Sequence, residues 1–280
     1  MIKHILQILR TRGLPGLAGA VHRRLLRPRV AHFGSFVGYF RNKVGLEIGG
    51  PSDVFRRHNL FPVYTIAARV DNCNFERTTT WEGEICEGDT FVFDETHTTG
   101  RQFIAEATDL DFIADASYDF VLSSHALEHV ANPLKALAEW KRVLKDGGLL
   151  VLVLPDHVHT FDHHRPITTL QHLVDDQAQD IGENDLTHLD EILSLHDFAR
   201  DPEADGRAAF IERAQRNAEH RCLHHHVFDP KLAIAVVEHA QFQVQSSQSC
   251  DPFHIFVVAR KSAKSGEITL SGTERTVRAH

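Results

Sequence analysis

Cysteine is scarce in this sequence of 280 residues, which contains four: Cys73, Cys86, Cys222 and Cys250. No two of them form a CxxC pair, so the sequence suggests neither a disulfide framework nor a cysteine zinc site. Such cysteine usage fits a reducing compartment, and we expect a cytoplasmic location. Uninterrupted apolar runs long enough to span a bilayer are also missing, which argues against a transmembrane protein.

Acidic residues are missing from the N-terminal part of the chain. The first acid is Glu47, although the net charge of the whole chain is −8. We interpret residues 1–43 as a basic helical extension, which could pack on the core or contact an anionic membrane surface as a peripheral segment. Aromatic residues are not interleaved with the basic ones, so no nucleic acid partner is expected.

Predicted strands and helices alternate along the chain, and this alternation predicts the fold class. Strands are expected at residues 44–48, 63–70, 102–104, 118–123, 149–154, 242–249 and 253–260. Helices are expected from Asp53, from Asn132-Pro133 and from Asp229-Pro230. This alternation predicts an α/β, Rossmann-like doubly wound sheet, mostly parallel, with an antiparallel last strand and a helical insertion after the fifth strand.

The same pattern divides the chain. Residues 44–155 and 227–261 form the predicted core, and residues 156–226 form a histidine-rich insertion with helical pieces at residues 192–198 and 208–221. Residues 72–100 are expected to form a long irregular connection that could include a short hairpin. Residues 262–280 carry little to bury and are expected to be disordered.

Polar groups follow several predicted strands. Gly49-Gly50-Pro51 follows the first strand, Asp71 ends the second, and Glu106 lies beyond the third. Because ligands of open α/β sheets bind outside the carboxyl ends of the strands, these groups should converge on one nucleotide-like ligand. An acid at the position of Asp71 would accept hydrogen bonds from a ribose diol.

Five motifs together resemble the class I S-adenosylmethionine-dependent methyltransferases, in the group that acts on small molecules. The resemblance covers residues 44–155, with a weaker likeness over residues 226–260. Its motifs are Leu46-Glu47-Ile48-Gly49-Gly50-Pro51, Asp71, Tyr118-Asp119-Phe120-Val121, Leu127-Glu128-His129-Val130 and Trp140-Lys141-Arg142-Val143-Leu144-Lys145-Asp146-Gly147-Gly148. The family usually has Gly-x-Gly where this chain has Gly49-Gly50-Pro51, a stiffer turn that leaves the shape of the loop open.

The resemblance implies S-adenosylmethionine as cofactor and a role for each matched residue. Glu47 and the backbone of Gly49 and Gly50, with Pro51 in the same turn, would hold the methionine end. Asp71 would bind the ribose, and Glu106 with Ala107 the adenine. The floor near the sulfonium would be lined by Ser123, Ser124 and His125, with His129 nearby. An NAD-binding interpretation would need a longer glycine pattern and a second domain.

Methyl transfer to a hydroxyl needs a base, and histidine suits this task at neutral pH. His157 is the first candidate, oriented by Asp156 or Asp162, and His125 and His226 come next. The histidine clusters at the two ends of the insertion could meet over the cofactor. They could there bind a divalent ion such as magnesium, although the spacing alone does not show a metal site.

The resemblance and the polar insertion favour a saccharide or glycan precursor as the acceptor. A run such as Thr160-Phe161-Asp162-His163-His164-Arg165-Pro166 is similar to segments of enzymes that act on such molecules. Two alternatives stay open: O-methylation of a quinone or phenol, and a methyltransferase-like binding module without turnover. A homodimer is compatible with the sequence, which does not determine the oligomeric state.

Overall fold

A computed structural model of the protein describes residues 29–79, 83–97, 99–201, 204 and 206–262. Its strands are β1 (Val44–Ile48), β2 (Arg69–Asn74), β3 (Thr78–Thr79), β4 (Gly83–Glu84), β5 (Gly88–Phe91), β6 (Gly100–Ile104), β7 (Tyr118–Ser124), β8 (Leu144–Pro155), β9 (Phe242–Cys250) and β10 (His254–Lys261). Its α-helices are α1 (Phe33–Phe40), α2 (Pro133–Val143), α3 (Leu170–Ala178), α4 (Leu189–Leu195), α5 (Arg207–Gln215), α6 (Asn217–His220) and α7 (Pro230–His239).

Eight strands form one sheet in the order β5-β6-β2-β1-β7-β8-β10-β9. The five strands from β6 to β8 in this order run parallel, whereas β10 is antiparallel to both β8 and β9. The predicted doubly wound sheet with an antiparallel last strand is therefore confirmed. Strand β5 adds a second antiparallel edge, which the sequence analysis assigned to an irregular connection.

Apolar layers cover both faces of the sheet. Helices α2 and α7 pack on one face, and α1 packs on the other with the segment at residues 54–67. Both α2 and α7 begin at a side-chain cap followed by proline: Asn132 accepts from the Lys135 backbone N–H, and Asp229 accepts from that of Leu232. These caps satisfy backbone donors that have no partner within the helix, which fixes where each helix starts.

Two predicted elements between β1 and β2 are wrong. The helix expected from Asp53 is a single 3-10 turn, Asp53–Phe55, and β2 begins at Arg69 rather than at residue 63. Residues 60–67 form turns because their apolar side chains, such as Phe61 and Tyr64, fill the layer beneath α1. Strand β2 therefore starts later than predicted and ends at Asn74, three residues beyond Asp71.

The chain between β8 and α7 contributes helices α3 to α6, with a small apolar cluster of its own that includes Ile192 and Phe210. The Arg165 guanidinium is buried and bridges Asp162 at 2.9 Å and Glu191 at 2.9 Å. The predictions for residues 1–28 and for residues 263–280 lie outside the described residues. Within the described ranges, no helix has the length and apolar character needed to cross a bilayer.

Candidate active site

A cleft of about 720 Å³ opens at the carboxyl ends of the parallel strands. Its core side is lined by residues that follow β1, β2, β6 and β7, and its outer side by residues of the segment between β8 and α7, such as Thr160, Phe161 and His224. A volume of this size is typical of a site for a cofactor or small molecule. The predicted convergence of the strand ends on one ligand site agrees with this geometry.

The turn after β1 brings backbone to the cleft. Gly49 lines it with a φ of +78°, a conformation that favours glycine. Asn72 holds the next residue, Gly50, through two hydrogen bonds: its Oδ1 accepts from Gly50 N at 2.9 Å and its Nδ2 donates to Gly50 O at 3.0 Å. Gly50 and Pro51 do not line the cleft but face a smaller cavity beside β5.

Glu47 lies beneath this turn and does not line the cleft. Its fully buried carboxylate accepts hydrogen bonds from the Tyr64 hydroxyl and from Ser52 N, the latter at 3.1 Å. Burial raises the pKa of Glu47 to about 7, although these hydrogen bonds oppose the shift. The expected contact of Glu47 with the methionine end is corrected: its side chain supports the turn from inside the fold.

We expect the stability of the protein to fall as pH rises through the range set by Glu47. Between pH 4.5 and 7 the unfolded chain loses this proton while the folded chain keeps it, so ionisation favours unfolding. The full decrease in the free energy of unfolding should be about 3 kcal/mol. Urea unfolding of the wild type and Glu47→Gln at pH 5 and pH 7.5 measures it: the change should be smaller in the variant. Equal pH dependence of the two proteins would contradict the raised pKa.

Asp71 lies in the middle of β2, opposite Leu46, rather than at the tip of the strand. Its buried carboxylate accepts hydrogen bonds from Arg101 N at 2.8 Å and from the Tyr118 hydroxyl at 2.9 Å. It does not line the cleft, because the strand continues for three residues beyond it. The residue at the tip that does line the cleft is Asn74, whose Oδ1 accepts from Gln102 Nε2 at 3.0 Å.

Asp71→Ala should therefore destabilise the fold without weakening cofactor binding. The substitution leaves the Arg101 N–H and the Tyr118 hydroxyl without their buried acceptor, which should cost about 3 kcal/mol. Chemical unfolding measures this loss, and calorimetry should find an S-adenosylmethionine Kd within about twofold of wild type. A large rise in Kd with an unchanged unfolding free energy would restore the ribose role of Asp71.

Glu106 and Ala107, predicted at the adenine, both line the cleft beyond β6. Glu106 forms an ion pair with Arg221, which also contacts Glu183 at 2.5 Å. The Arg221 guanidinium lies 5.0 Å from the centre of the Phe75 ring, which lines the cleft after β2. Arg221 thus bridges this end of the cleft to the segment between β8 and α7.

The loop after β7 provides the other predicted floor residues. Ser124, His125 and His129 line the cleft, whereas Ser123 does not line it and is fully buried. The Ser123 position is corrected for the same reason as Asp71: it belongs to the strand rather than to its end, opposite Ile48 of β1.

Of the five predicted catalytic residues, His125 alone lines the cleft. His157 lies beside Asp156, with 3.7 Å between Nδ1 and Oδ1, in a 3-10 turn whose cleft-lining residue is His159. Asp162 and His226 are both buried in other contacts. The preference for His157 over His125 therefore does not match the geometry, since a 3-10 turn carries neighbouring side chains to different sides.

His125 is part of a chain of three polar side chains. Its Nδ1 lies 3.4 Å from Glu128 Oε1, and its Nε2 lies 2.8 Å from His254 Nδ1. Burial alone would raise the pKa of Glu128, but His125, with His129 and His224 behind it, lowers the pKa below its usual value. Glu128 is therefore a buried carboxylate at neutral pH, able to stabilise a proton on His125.

The two histidine clusters meet beside this chain, as the sequence analysis expected if the insertion covers the cofactor mouth. Asp162 from the first cluster contacts His224 of the second, with 2.5 Å between Oδ2 and Nδ1. Burial would raise the pKa of Asp162, but His224 and Arg165 lower it to about 2. Burial and then the charge of His224 lower the pKa of His129 to about 4, so the His129 ring is neutral.

Sequence reasoning missed several cleft residues that stand next to recognised motifs. Asn74 follows the misplaced strand, and Glu128 lies inside the Leu127-Glu128-His129-Val130 motif without having been given a role. His254 carries no local signal: it reaches the cleft because β10 pairs antiparallel with β8, which sets it opposite Pro155. Arg221 ends the stretch 208–221, which is predicted as one helix but forms the two helices α5 and α6, with Arg221 just after α6.

A family model and a curated protein each match a part of this chain. A family described as "Methyltransferase domain" matches residues 92–152. An uncharacterized 37.1 kDa protein in transposon Tn4556 of Streptomyces fradiae is 48% identical over 44 residues, which are 16% of this chain and 13% of that protein.

Similar solved structures include an S-adenosylmethionine-dependent methyltransferase from Aquifex aeolicus, at 12% identity and a TM-score of 0.44, covering 86% of this chain and 93% of that one. Another from Methanosarcina mazei has 14% identity and a TM-score of 0.45, covering 84% of this chain and 100% of that one.

The matched segment runs from the residue after β5 into β8 and contains Glu106, Ala107 and the His125–His129 loop, so it provides part of the core side of the cleft. The mostly parallel sheet and its reversed last strand are those predicted from the sequence. The sheet has the Rossmann-like fold of methyltransferases, and the matched methyltransferase domain accounts for its part from residue 92 to residue 152.

Proposed function

We propose that this protein transfers a methyl group from S-adenosylmethionine to a hydroxyl of a saccharide or glycan precursor, with the His125–His254 pair as general base. One observation carries the proposal: the chain of Glu128, His125 and His254 lies in the cleft beside the carboxyl end of β7. S-adenosylmethionine supplies an electrophilic methyl group, so the protein has to position the acceptor and remove its proton.

The residues of the cleft fit this cofactor. Gly49 presents its backbone to the cleft, and a side chain there would be strained, because φ is +78° and a Cβ would lie 3.1 Å from that of Ala126. Asn74 takes the place intended for Asp71: with its Oδ1 held by Gln102, the amide NH₂ is the group that can donate to a ribose hydroxyl. Glu106 and Ala107 lie where the adenine is expected.

The electrostatics of the base follow from Glu128. Because Glu128 is a carboxylate, His125 Nδ1 carries the proton that faces it, and His125 Nε2 accepts from His254 Nδ1. The acceptor hydroxyl would give its proton to His254 Nε2, while the proton on His254 Nδ1 moves to His125 Nε2. The positive charge then lies on His125, next to the buried Glu128, where it is most stabilised.

The outer wall of the cleft favours a polyhydroxyl acceptor. Its residues His159, Thr160, Arg200 and Asp201 offer several hydrogen-bonding groups on one side of the reacting centre. A phenolic or quinone acceptor is the second candidate, favoured by Phe161 and Phe253 in the same lining. Glu128, His129 and His224 offer one oxygen and two nitrogen atoms within 4.8 Å of one another, a donor set that suits a zinc-type ion better than magnesium.

A methyl-transfer screen with labelled S-adenosylmethionine tests the proposal. The panel should contain mono- and oligosaccharides, glycan precursors and phenols, each with magnesium and with a chelator. We expect label in a saccharide acceptor, and loss of that label in His125→Ala. Transfer to phenols alone would favour the second candidate. Cofactor binding without transfer to any acceptor would favour a binding module.

A further inference from the structure

A second group of histidines lies outside the cleft. It consists of His172 in α3, His188 at the start of α4 and His226 just before α7, with Asp176 one helical turn after His172. One ring nitrogen from each histidine lies within 4.8 Å of the other two. None of these four residues lines the cleft, and the proposed methyl transfer uses none of them.

The distances within this group match those of a metal coordination sphere. His172 Nε2 lies 3.0 Å from His188 Nε2 and 3.4 Å from Asp176 Oδ2. Ligands about 2.0–2.1 Å from a tetrahedral zinc ion lie about 3.3–3.4 Å from one another. Both observed separations lie close to that value.

Hydrogen bonding within the group leaves ligand atoms unsatisfied. Asp176 Oδ2 and His226 Nδ1 are buried and have no hydrogen-bond partner among the residues that the structure describes. His226 Nε2 lies 3.1 Å from Ala131 O, a bond that needs a proton on Nε2 and so leaves the lone pair on Nδ1. A histidine with one N–H bonded to a backbone carbonyl is the usual arrangement around a metal.

We propose that His172, Asp176, His188 and His226 bind one zinc ion. Three imidazoles and a carboxylate form a donor set that suits Zn²⁺, whereas Mg²⁺ prefers oxygen ligands throughout. The ion would join α3, the start of α4 and the residues that lead into α7, and so fix the segment that forms the outer wall of the cleft. The His172 side chain is 37% exposed and provides a path for entry.

Zinc titration of the full chain after chelator treatment tests this site, with Co²⁺ absorption as a probe of tetrahedral geometry. We expect wild type to bind zinc tightly, to show tetrahedral Co²⁺ bands and to melt at a higher temperature with zinc. His172→Ala should lose the bands and at least about 100-fold in zinc affinity. His188→Ala is a second variant, with the same expected result if His172→Ala is poorly folded.

Two further variants make the test specific. His239→Ala changes an exposed histidine of α7 and should bind zinc as wild type does. Glu128→Gln removes a carboxylate of the cleft, so it shows whether the ion binds there instead. The proposal is wrong if His172→Ala and His188→Ala keep the wild-type zinc affinity, or if Glu128→Gln alone abolishes binding. Because every readout is independent of methyl transfer, the outcome does not depend on the proposed function.

Discussion

Gly50→Ala should raise the Kd for S-adenosylmethionine at least about 100-fold, a loss of about 3 kcal/mol in binding. A Cβ at residue 50 would lie 2.3 Å from Glu47 Cδ and 2.4 Å from its Oε2. The Glu47 carboxylate cannot withdraw, because it is fully buried and bonded to Ser52 and Tyr64. The turn itself must therefore move, and Gly49 moves with it away from the cofactor.

Calorimetric titration measures this effect, and Gly38→Ala is the matched control. Gly38 lies in α1, and a Cβ there would meet nothing within 4 Å. This control should bind the cofactor with wild-type affinity. Circular dichroism and urea unfolding must accompany the titration, since displacing Glu47 also destabilises the fold. A folded Gly50→Ala protein with the wild-type Kd would mean that the turn after β1 does not hold the cofactor.

His125→Ala should lower kcat by about 100- to 10,000-fold, the range typical of a general base. The substitution removes the nitrogen that receives the proton from His254 and leaves Glu128 without the group it stabilises. The Kd for S-adenosylmethionine should change by less than about threefold, because the proposed cofactor contacts lie at Gly49, Asn74 and Glu106. Single-turnover kinetics with the best acceptor of the screen, together with calorimetry, separate the two quantities.

His157→Ala tests, in the same experiment, whether His157 rather than His125 is the general base. His157 is outside the cleft lining, so its variant should keep a rate within about threefold of wild type. A large loss in His157→Ala with an intact rate in His125→Ala would move the base to the 3-10 turn after β8. Equal and complete losses in both variants, with normal unfolding, would indicate that the segment between β8 and α7 rearranges before reaction.

Local patterns in the sequence were sufficient for much of the core. The starts of α2 and α7 follow from Asn132-Pro133 and Asp229-Pro230, because an oxygen cap and a proline act within a few residues. Strand β8 follows from its continuous apolar run, which only a strand buried on both faces needs. The Gly49 turn and the loop from Ser124 to His129 were located for the same reason: each directly follows such a strand.

The errors arose where long-range packing decides the structure. Residues 63–67 have the apolar character of a strand, but they form turns because their side chains pack in the layer beneath α1. Strand β2 therefore begins later and ends at Asn74 instead of Asp71. The sequence favours His157 over His125 as the base because His254, the partner of His125, is distant in sequence. Only the antiparallel pairing of β10 with β8 brings His254 to the cleft.

A crystal structure of the protein with S-adenosylhomocysteine tests the central claim most directly. We expect the ligand in the cleft, with its amino acid end at the Gly49 turn, its ribose within hydrogen-bond distance of Asn74 and its adenine beside Glu106 and Ala107. The sulfur should face the side of the cleft that holds His125 and His254. A ligand bound elsewhere, or its sulfur turned away from both histidines, would contradict the account.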